Sequence, residues 1–127
     1  MTGAQVLVVE DNEKNMKLFR DVLEASGYRL LEATTGEQAM ELAVEQQPNL
    51  VLMDIQLPDI DGVDALGRLR ADARTASIPV VALTAQAMHG DRERFLDVGF
   101  DAYISKPVDI VEFVRTVKEH CGEANGD

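Results

Sequence analysis

Short apolar runs alternate along the chain with longer stretches in which apolar residues recur at helical spacing. Three of the runs are nearly continuous and rich in β-branched residues, as in strands that are covered on both faces of a parallel sheet. They are Val6 to Val9, Leu50 to Met53 and Ile78 to Leu83. Two more mixed runs, Tyr28 to Ala33 and Ala102 to Ser105, fit edge strands or shorter strands. The pattern therefore predicts five strands.

The intervening stretches have the features of amphipathic helices. In the first of them, Met16, Phe19 and Leu23 share one face, and the last stretch carries a similar face. That second face consists of Ile110, Phe113, Val114 and Val117. Helix N-terminal caps are predicted at two pairs of residues, Thr35 with Gln38 and Asp109 with Glu112. Gly27 and Gly99 stand where helices should end.

Strand and helix alternate five times with short connections between them. This alternation predicts an α/β fold, a doubly wound five-stranded parallel sheet with five helices on its two faces. A length of 127 residues suits one domain, and no linker, repeat or low-complexity segment divides residues 1–127. Residues 122–127, with the sequence GEANGD, are expected to form a frayed tail.

The composition excludes several classes of function. Twelve basic residues against 23 acidic ones give a formal net charge of −11, which repels phosphate backbones, so direct binding of nucleic acid is not expected. No apolar run approaches the length of a membrane span and the N-terminus lacks the features of a signal peptide, so we expect no membrane association and a cytoplasmic location. Cys121 is the only cysteine and is expected to be an inert thiol at a helix end.

Polar residues gather at the predicted ends of the strands. These residues are Glu10 and Asp11 after the first strand, Asp54 at the end of the third, Thr84 at the end of the fourth, and Ser105, Lys106 and Pro107 at the end of the fifth. In doubly wound folds, ligands bind beyond the carboxyl ends of the strands. Clustered carboxylates repel one another unless a cation lies among them, and hard oxygen ligands suit Mg²⁺. Lys106 and the Thr84 hydroxyl would then provide donors for a phosphoryl group carried on a carboxylate.

Each of these residues also has an ordinary structural explanation. A single aspartate at a strand end is more often a turn or helix cap than a nucleophile, and Asp11 could cap the helix that follows it. Thr84 could be a simple β-former and Lys106 a solvated charge, while Asp59 and Asp61 fit loop or cap positions. The coincidence of polar residues at four strand ends nevertheless favours a functional site.

Four segments together resemble a bacterial response-regulator receiver domain, and they span nearly the whole chain. The segments are VLVVEDNEKNMKLFRDVLEASGY, NLVLMDIQLPDIDG, IPVVALTAQAM and DAYISKP. Among receivers, the chain is most similar to stand-alone ones of the DivK kind, with CheY as a more distant relative. The resemblance implies the CheY-like, flavodoxin-like strand order 2-1-3-4-5.

The resemblance also implies a chemical role for matching residues. Asp54 would accept a phosphoryl group from a phosphohistidine, and Lys106 would pair with the phosphoryl oxygens. Mg²⁺ would be held by Asp11, Asp54 and the backbone carbonyl of Gln56, with Glu10 positioning it through water.

Three further residues are implicated by the resemblance in switching and in site geometry. Thr84 would move toward the phosphoryl group, and Tyr103 would turn inward into the space that Thr84 leaves. Without the resemblance, Tyr103 would be explained as a half-covered aromatic residue on an edge strand. The peptide bond between Lys106 and Pro107 is expected to be cis and to aim the ammonium into the site.

The favoured interpretation is a phosphorylation-controlled interaction module of two-component signalling, a switch rather than an enzyme. The alternative is a Mg²⁺-dependent aspartyl-phosphate phosphatase enzyme, which typically has a D-x-D motif; Gln56 replaces its second acid and disfavours it. The donor would be a histidine kinase or a histidine phosphotransfer protein. The chain stops after its fifth predicted helix, so we expect no effector domain and an output through a separate protein. A relay intermediate and an end-point regulator both remain possible.

Two surfaces are predicted for these partners. A docking strip on the first helix would consist of Lys14, Asn15, Leu18 and Val22, with the two aliphatic residues exposed one turn apart. An output surface around Met88, Phe100 and Tyr103 would change when Thr84 and Tyr103 move.

Overall fold

Five parallel strands form a sheet in the computed structural model, which describes residues 4–85, 94 and 96–121. The strands are β1 (Gln5–Val9), β2 (Arg29–Ala33), β3 (Leu50–Asp54), β4 (Val80–Thr84) and β5 (Ala102–Ser105). Their order in the sheet is β2-β1-β3-β4-β5, and every neighbouring pair is parallel. The predicted five-stranded sheet and its order are confirmed.

The described residues contain four helices. They are α1 (Glu13–Ala25), α2 (Gly36–Gln46), α3 (Gly62–Ala71) and α4 (Ile110–Cys121). The remaining predicted helix, between β4 and β5, falls mostly on residues 86–93 and 95, outside the described residues. Arg94, Leu96 and Asp97 have helical backbone just before Gly99, whose φ of 118° is the left-handed conformation predicted for a helix end. None of the described helices has the length and apolarity needed to cross a membrane.

The ends of the helices follow the local sequence signals. The Thr35 hydroxyl caps α2 by accepting a hydrogen bond from the Gln38 N–H at 3.1 Å, and Asp109 accepts one from the Glu112 N–H at the start of α4. Gly27 follows α1 with a φ of 89°, which only glycine adopts without strain. The predicted caps and stops are therefore confirmed.

Two apolar layers cover the sheet, one on each face. On one side, α1 and α4 pack through Phe19 and Phe113, whose rings stack with their centroids 5.2 Å apart. On the other side, α2 and α3 pack through small and branched residues such as Ala39, Leu66 and Leu69. The sheet is therefore covered on both faces, which explains why its central strands are almost continuously apolar.

Burial departs from the sequence pattern at two apolar residues. Ile110 shares a face with Phe113 and Val117 but is 49% exposed, because it lies in the first turn of α4, ahead of those buried residues. Phe100, predicted on a surface, is only 3% exposed, since it packs with the apolar cluster beneath α2 and α3. Cys121 is half-buried, and burial raises the pKa of its thiol to about 11, as suits an inert thiol.

Candidate functional site

The sheet brings the polar strand ends to one edge. Asp54 is the last residue of β3, a central strand, and it pairs in register with Leu83 of β4. Thr84 ends β4 and pairs with Ser105 of β5, so Lys106 follows directly beyond the same edge. The order of strands reverses beside β1 and β3, which is where ligands bind in folds of this kind.

Three carboxylates form a compact cluster at this edge. Oxygens of Glu10, Asp11 and Asp54 lie within 4.8 Å of one another. Glu10 is 1% exposed and Asp54 7%, whereas Asp11 is open to solvent. Asp11 does not cap α1, since the N-cap is Asn12, whose side chain accepts from the Asn15 N–H. The ordinary structural explanation of Asp11 is therefore wrong.

The donor set of this cluster fits Mg²⁺. Carboxylate oxygens are the hard ligands that this ion prefers, and an exposed member leaves room for the water ligands that it retains. The N–H of Gln56 donates to Oδ1 of Asp54 at 2.9 Å, so the backbone of Gln56 lies beside the cluster. The Gln56 carbonyl as a metal ligand, and a water-mediated role for Glu10, stay predictions.

Lys106 supplies a cation to two of the three carboxylates. Its Nζ lies 2.6 Å from Oε1 of Glu10 and 2.9 Å from Oδ2 of Asp54. Burial acts to lower the pKa of Lys106, but its hydrogen bonds to both carboxylates and the attraction of their charges together outweigh burial, so the pKa is raised. The ammonium therefore stays charged inside a site that is largely shielded from water.

The pKa of Glu10 is also raised, which for a carboxyl group disfavours the charged form. Burial raises the pKa of Glu10, and the negative charge of Asp54 raises it further. The hydrogen bond from Lys106 opposes both effects without cancelling them. The buried carboxylate of Glu10 thus needs a nearby cation to stay ionised.

A small cleft opens between the ends of β3, β4 and β5. Its volume is about 40 Å³ and its lining includes Asp54, Thr84, Ala85 and Lys106. The N–H of Lys106 donates to the Thr84 carbonyl at 2.8 Å, which fixes the two strand ends together. The peptide bond between Lys106 and Pro107 is cis, as expected. Thr84 is buried, and its movement toward a phosphoryl group stays a prediction.

The β3–α3 loop (residues 55–61) carries acidic residues that cap two different helices. Asp61 caps α3 through the Val63 N–H at 2.7 Å. Asp59 reaches α2, where its carboxylate accepts from the N–H groups of Gly36 and Glu37 at 2.8 and 3.0 Å. The sequence predicts loop or cap positions for both, but no local signal identifies the helix that Asp59 caps.

The residues of the two predicted partner surfaces differ in their exposure, and their roles stay predictions. Lys14 is exposed and Asn15 is half-buried on α1. Leu18 and Val22 are half-buried rather than exposed, and Val22 packs against the core, so the prediction of two exposed aliphatic residues is wrong. On the predicted output surface, Tyr103 is half-buried on β5, while Met88 lies outside the described residues.

The fold and the site together define a phospho-accepting signalling domain. The chain belongs to the response regulator receiver domain family, whose pattern matches residues 6–118. It is 50% identical over 119 residues to the polar-differentiation response regulator DivK of Brucella ovis, covering 94% of this chain and 97% of the relative. This likeness confirms the resemblance to stand-alone receivers of the DivK kind.

Solved structures agree with this assignment. The receiver domain of the sensor histidine kinase PA1611 from Pseudomonas aeruginosa, which has a magnesium ion coordinated in its active-site cleft, is 36% identical with a TM-score of 0.87. That match covers 96% of this chain and all of the other. CheY4 of Vibrio cholerae is 21% identical with a TM-score of 0.86, over 93% of this chain and 98% of its own, which shows the shared fold.

Proposed function

We propose that this receiver domain accepts a phosphoryl group from a phosphohistidine onto Asp54, in a Mg²⁺-dependent reaction, and signals through phosphorylation-dependent contacts with other proteins. The observation that carries the proposal is the position of Asp54, which ends a buried strand between an acidic cluster and the ammonium of Lys106. A rigid sheet thereby holds a nucleophile at an accessible edge.

The transfer makes one bond and breaks one. A carboxylate oxygen of Asp54 forms a P–O bond while the P–N bond to the donor imidazole breaks, and the electron pair of that bond stays on the imidazole nitrogen. A carboxylate has no proton to lose, so the reaction needs neutralisation of the phosphoryl oxygens more than it needs a general base. Lys106 is placed to provide part of that neutralisation, since it already contacts Asp54.

The metal would be held by Asp11, Asp54 and the Gln56 carbonyl, with Glu10 acting through water. The oxygen cluster of the described residues supports this set, and so does the magnesium ion in the Pseudomonas aeruginosa relative. When bound, Mg²⁺ supplies Lewis-acid stabilisation of the phosphoryl oxygens. Asp54 supplies the attacking oxygen, and Lys106 supplies a further positive charge.

Switching is proposed for Thr84 and Tyr103. Thr84 lines the same cleft as Asp54, so its hydroxyl is close to where the phosphoryl group would lie. Tyr103 lies on the neighbouring strand, in register with Ala82, two residues before Thr84. Movement of Thr84 toward the phosphoryl group would let the ring of Tyr103 turn inward and change the surface beside β5.

The partners follow from the family. A histidine kinase or a histidine phosphotransfer protein would donate the phosphoryl group, with Lys14, Asn15 and Leu18 of α1 as the docking strip and Val22 supporting them from the core side. A separate protein would receive the output. A cytoplasmic location is part of the proposal, and a single cysteine, which cannot form a disulfide within the chain, is compatible with that reducing compartment.

The experiment that tests the proposal is labelling with a small phosphodonor such as acetyl phosphate. Intact mass should rise by one phosphoryl group in the presence of Mg²⁺, and hydroxylamine should remove it because an acyl phosphate is cleaved by that nucleophile. The Asp54→Asn variant should stay unlabelled, whereas Asp21→Asn, which changes an exposed aspartate on α1, should label normally. Labelling of Asp54→Asn, or labelling that survives a chelator, would contradict the proposal.

A further inference from the structure

The base of the β3–α3 loop is fixed beside the proposed metal site. The N–H of Gln56 bonds to the Asp54 carboxylate, and the N–H of Gly62 donates to the Ile55 carbonyl at 2.8 Å. Gln56 and Asp61 also form an isolated antiparallel bridge, so the two ends of the loop are drawn together. These contacts fix the base of the loop, and between them Leu57 and Ile60 pack against the apolar cluster beneath α2 and α3.

The tip of the loop is attached to a different helix. Both oxygens of the Asp59 carboxylate accept hydrogen bonds from the first two N–H groups of α2, those of Gly36 and Glu37. These N–H groups have no partner within a helix, and the helix dipole favours a negative charge there. A Cβ on Gly36 would overlap the side chain of Ile60, so the loop lies directly against the start of α2. The loop is thus held at two separate points.

We propose that Asp59 is a positioning residue for metal binding: by fixing the loop tip to α2, it sets the direction in which the Gln56 carbonyl is presented to Mg²⁺. The inference rests on the proposed function, in which that carbonyl is a metal ligand. A backbone ligand has no side-chain rotamer with which to adjust, so only the path of the loop aims it. Mg²⁺ requires near-octahedral geometry, so small changes in that direction weaken binding.

Capping of α2 is the simpler role that the test has to separate from positioning. Thr35 already caps α2 through the Gln38 N–H, and it makes this contact from the chain segment before the helix. Thr35→Ala therefore weakens the same helix end without touching the loop. Asp61→Asn provides a second control, because it removes one negative charge from the same loop while an asparagine retains a capping oxygen for α3.

The experiment measures the Mg²⁺ dissociation constant of the full chain by NMR titration of amide shifts, alongside the thermal stability of each variant. Asp59→Ala should weaken Mg²⁺ binding about tenfold, a typical effect of losing a residue that orients a metal ligand. Asp59→Asn, which keeps one acceptor oxygen, should fall between Asp59→Ala and the wild type. Thr35→Ala and Asp61→Asn should bind Mg²⁺ nearly as the wild type does.

A second measurement checks that the effect acts through the metal. The rate of labelling by acetyl phosphate in Asp59→Ala should recover to near the wild-type value at saturating Mg²⁺, with only the half-saturating concentration raised. Failure of saturating Mg²⁺ to restore the rate would overturn the inference. Equal weakening in Thr35→Ala would assign the effect to the helix, and equal weakening in Asp61→Asn to charge alone; either result would overturn it.

The outcomes also separate this inference from the function on which it rests. A wild-type protein that does not bind Mg²⁺ would overturn the proposed function and the inference with it. A wild-type protein that binds Mg²⁺ through Asp54, together with an Asp59→Ala variant that binds equally well, would overturn the inference alone.

Discussion

The ammonium of Lys106 lies 2.9 Å from Oδ2 of Asp54, although 52 residues separate them along the chain. The same Nζ contacts Glu10, so one cation serves two buried carboxylates. An isolated charge is costly to bury, and the ammonium of Lys106 compensates both carboxylates. Removing this cation therefore removes a charge that stabilises the phosphoryl oxygens, and it also leaves two buried carboxylates without their ion pair.

Replacing Lys106 by methionine should slow labelling of Asp54 by acetyl phosphate. Methionine keeps an unbranched side chain but removes the charge that stabilises the phosphoryl oxygens, and loss of one such donor costs on the order of a hundredfold in rate. Rates are followed by intact mass at saturating Mg²⁺. Lys118→Met, on the exposed side of α4, removes the same charge elsewhere and should label normally. Equal rates in the wild type and Lys106→Met would exclude this role.

Two glycines of α3 should respond in opposite ways to alanine. A Cβ on Gly62 would lie 2.7 Å from the Ile55 Cα and 2.8 Å from the Asp54 carbonyl oxygen, both backbone atoms, so Gly62→Ala should destabilise by about 1–3 kcal/mol. A Cβ on Gly67 meets nothing within 4 Å among the described residues, so Gly67→Ala should stabilise the helix by about 0.5–1 kcal/mol. Urea unfolding measures both. A Gly62→Ala variant as stable as the wild type would show that the loop adjusts without strain.

Much of the site could be predicted because its residues follow strands. Apolar runs identify the strands, and parallel strands place their carboxyl ends at one edge, so Glu10, Asp54, Thr84 and Lys106 could be grouped from the amino-acid sequence alone. The contact of Asp59 with α2 could not be predicted in this way, since it joins residues more than 20 positions apart through backbone N–H groups. No side-chain pattern indicates such a contact.

Burial could be predicted less well than secondary structure. Helical spacing shows which residues share a face, but not how far along the helix the sheet covers it. Phe113 and Val117 are buried beneath α4, whereas Ile110 of the same face is half exposed. Phe100 shows the opposite error, since a residue between helical backbone and a strand is buried by a cluster assembled from distant segments.

The stacked pair of Phe19 and Phe113 should contribute strongly to stability. Phe113→Ala removes a fully buried ring between α1 and α4 and should cost about 3–5 kcal/mol in the free energy of unfolding. Val111→Ala is the matched control on the same helix, because Val111 is 76% exposed and its truncation should change stability by less than about 0.5 kcal/mol. Similar losses in the two variants, measured by urea unfolding, would contradict this account of the core.

A substitution in the docking strip should slow phosphoryl transfer from a protein donor but not from acetyl phosphate. Leu18→Asp places a charge in the half-buried aliphatic part of the strip, so transfer from the cognate kinase or phosphotransfer protein should slow while labelling by acetyl phosphate stays normal. Val44→Asp introduces the same charge at a half-buried position on α2, and its transfer should be unaffected. Normal protein-to-protein transfer in Leu18→Asp would remove Leu18 from the docking surface, and loss of both reactions would indicate misfolding.

The pair of Arg20 and Glu32 should give stability a pH dependence. The hydrogen bond from Arg20 holds the pKa of Glu32 below its ordinary value of 4.5, so the ionised form is favoured in the folded chain. A depressed carboxylate pKa contributes stability above the unfolded pKa and loses it as the pH falls through the folded pKa. Glu32→Gln should therefore lower the urea midpoint at pH 7, and this effect should shrink as the pH falls below 4.5 toward 3.

Partial exposure of both side chains keeps the effect of this pair small. Glu41→Gln is the control, because it removes one negative charge at an exposed position on α2, away from Arg20. The two variants are compared by their urea midpoints at both pH values. A Glu32→Gln difference that is the same at both pH values would show that charge pairing is not its cause.

Glu10 and Lys106 meet at 2.6 Å from positions 96 residues apart, and this distance along the chain has a consequence for newly made protein. The ribosome synthesises the nucleophile and the acidic cluster well before it synthesises β5, which carries the lysine into place. Until that last strand pairs with β4, the carboxylates lack their cation and the cleft lacks a wall. The site is therefore complete only after β5 has paired with β4, so rapid phosphorylation is also a sign that the chain has folded completely.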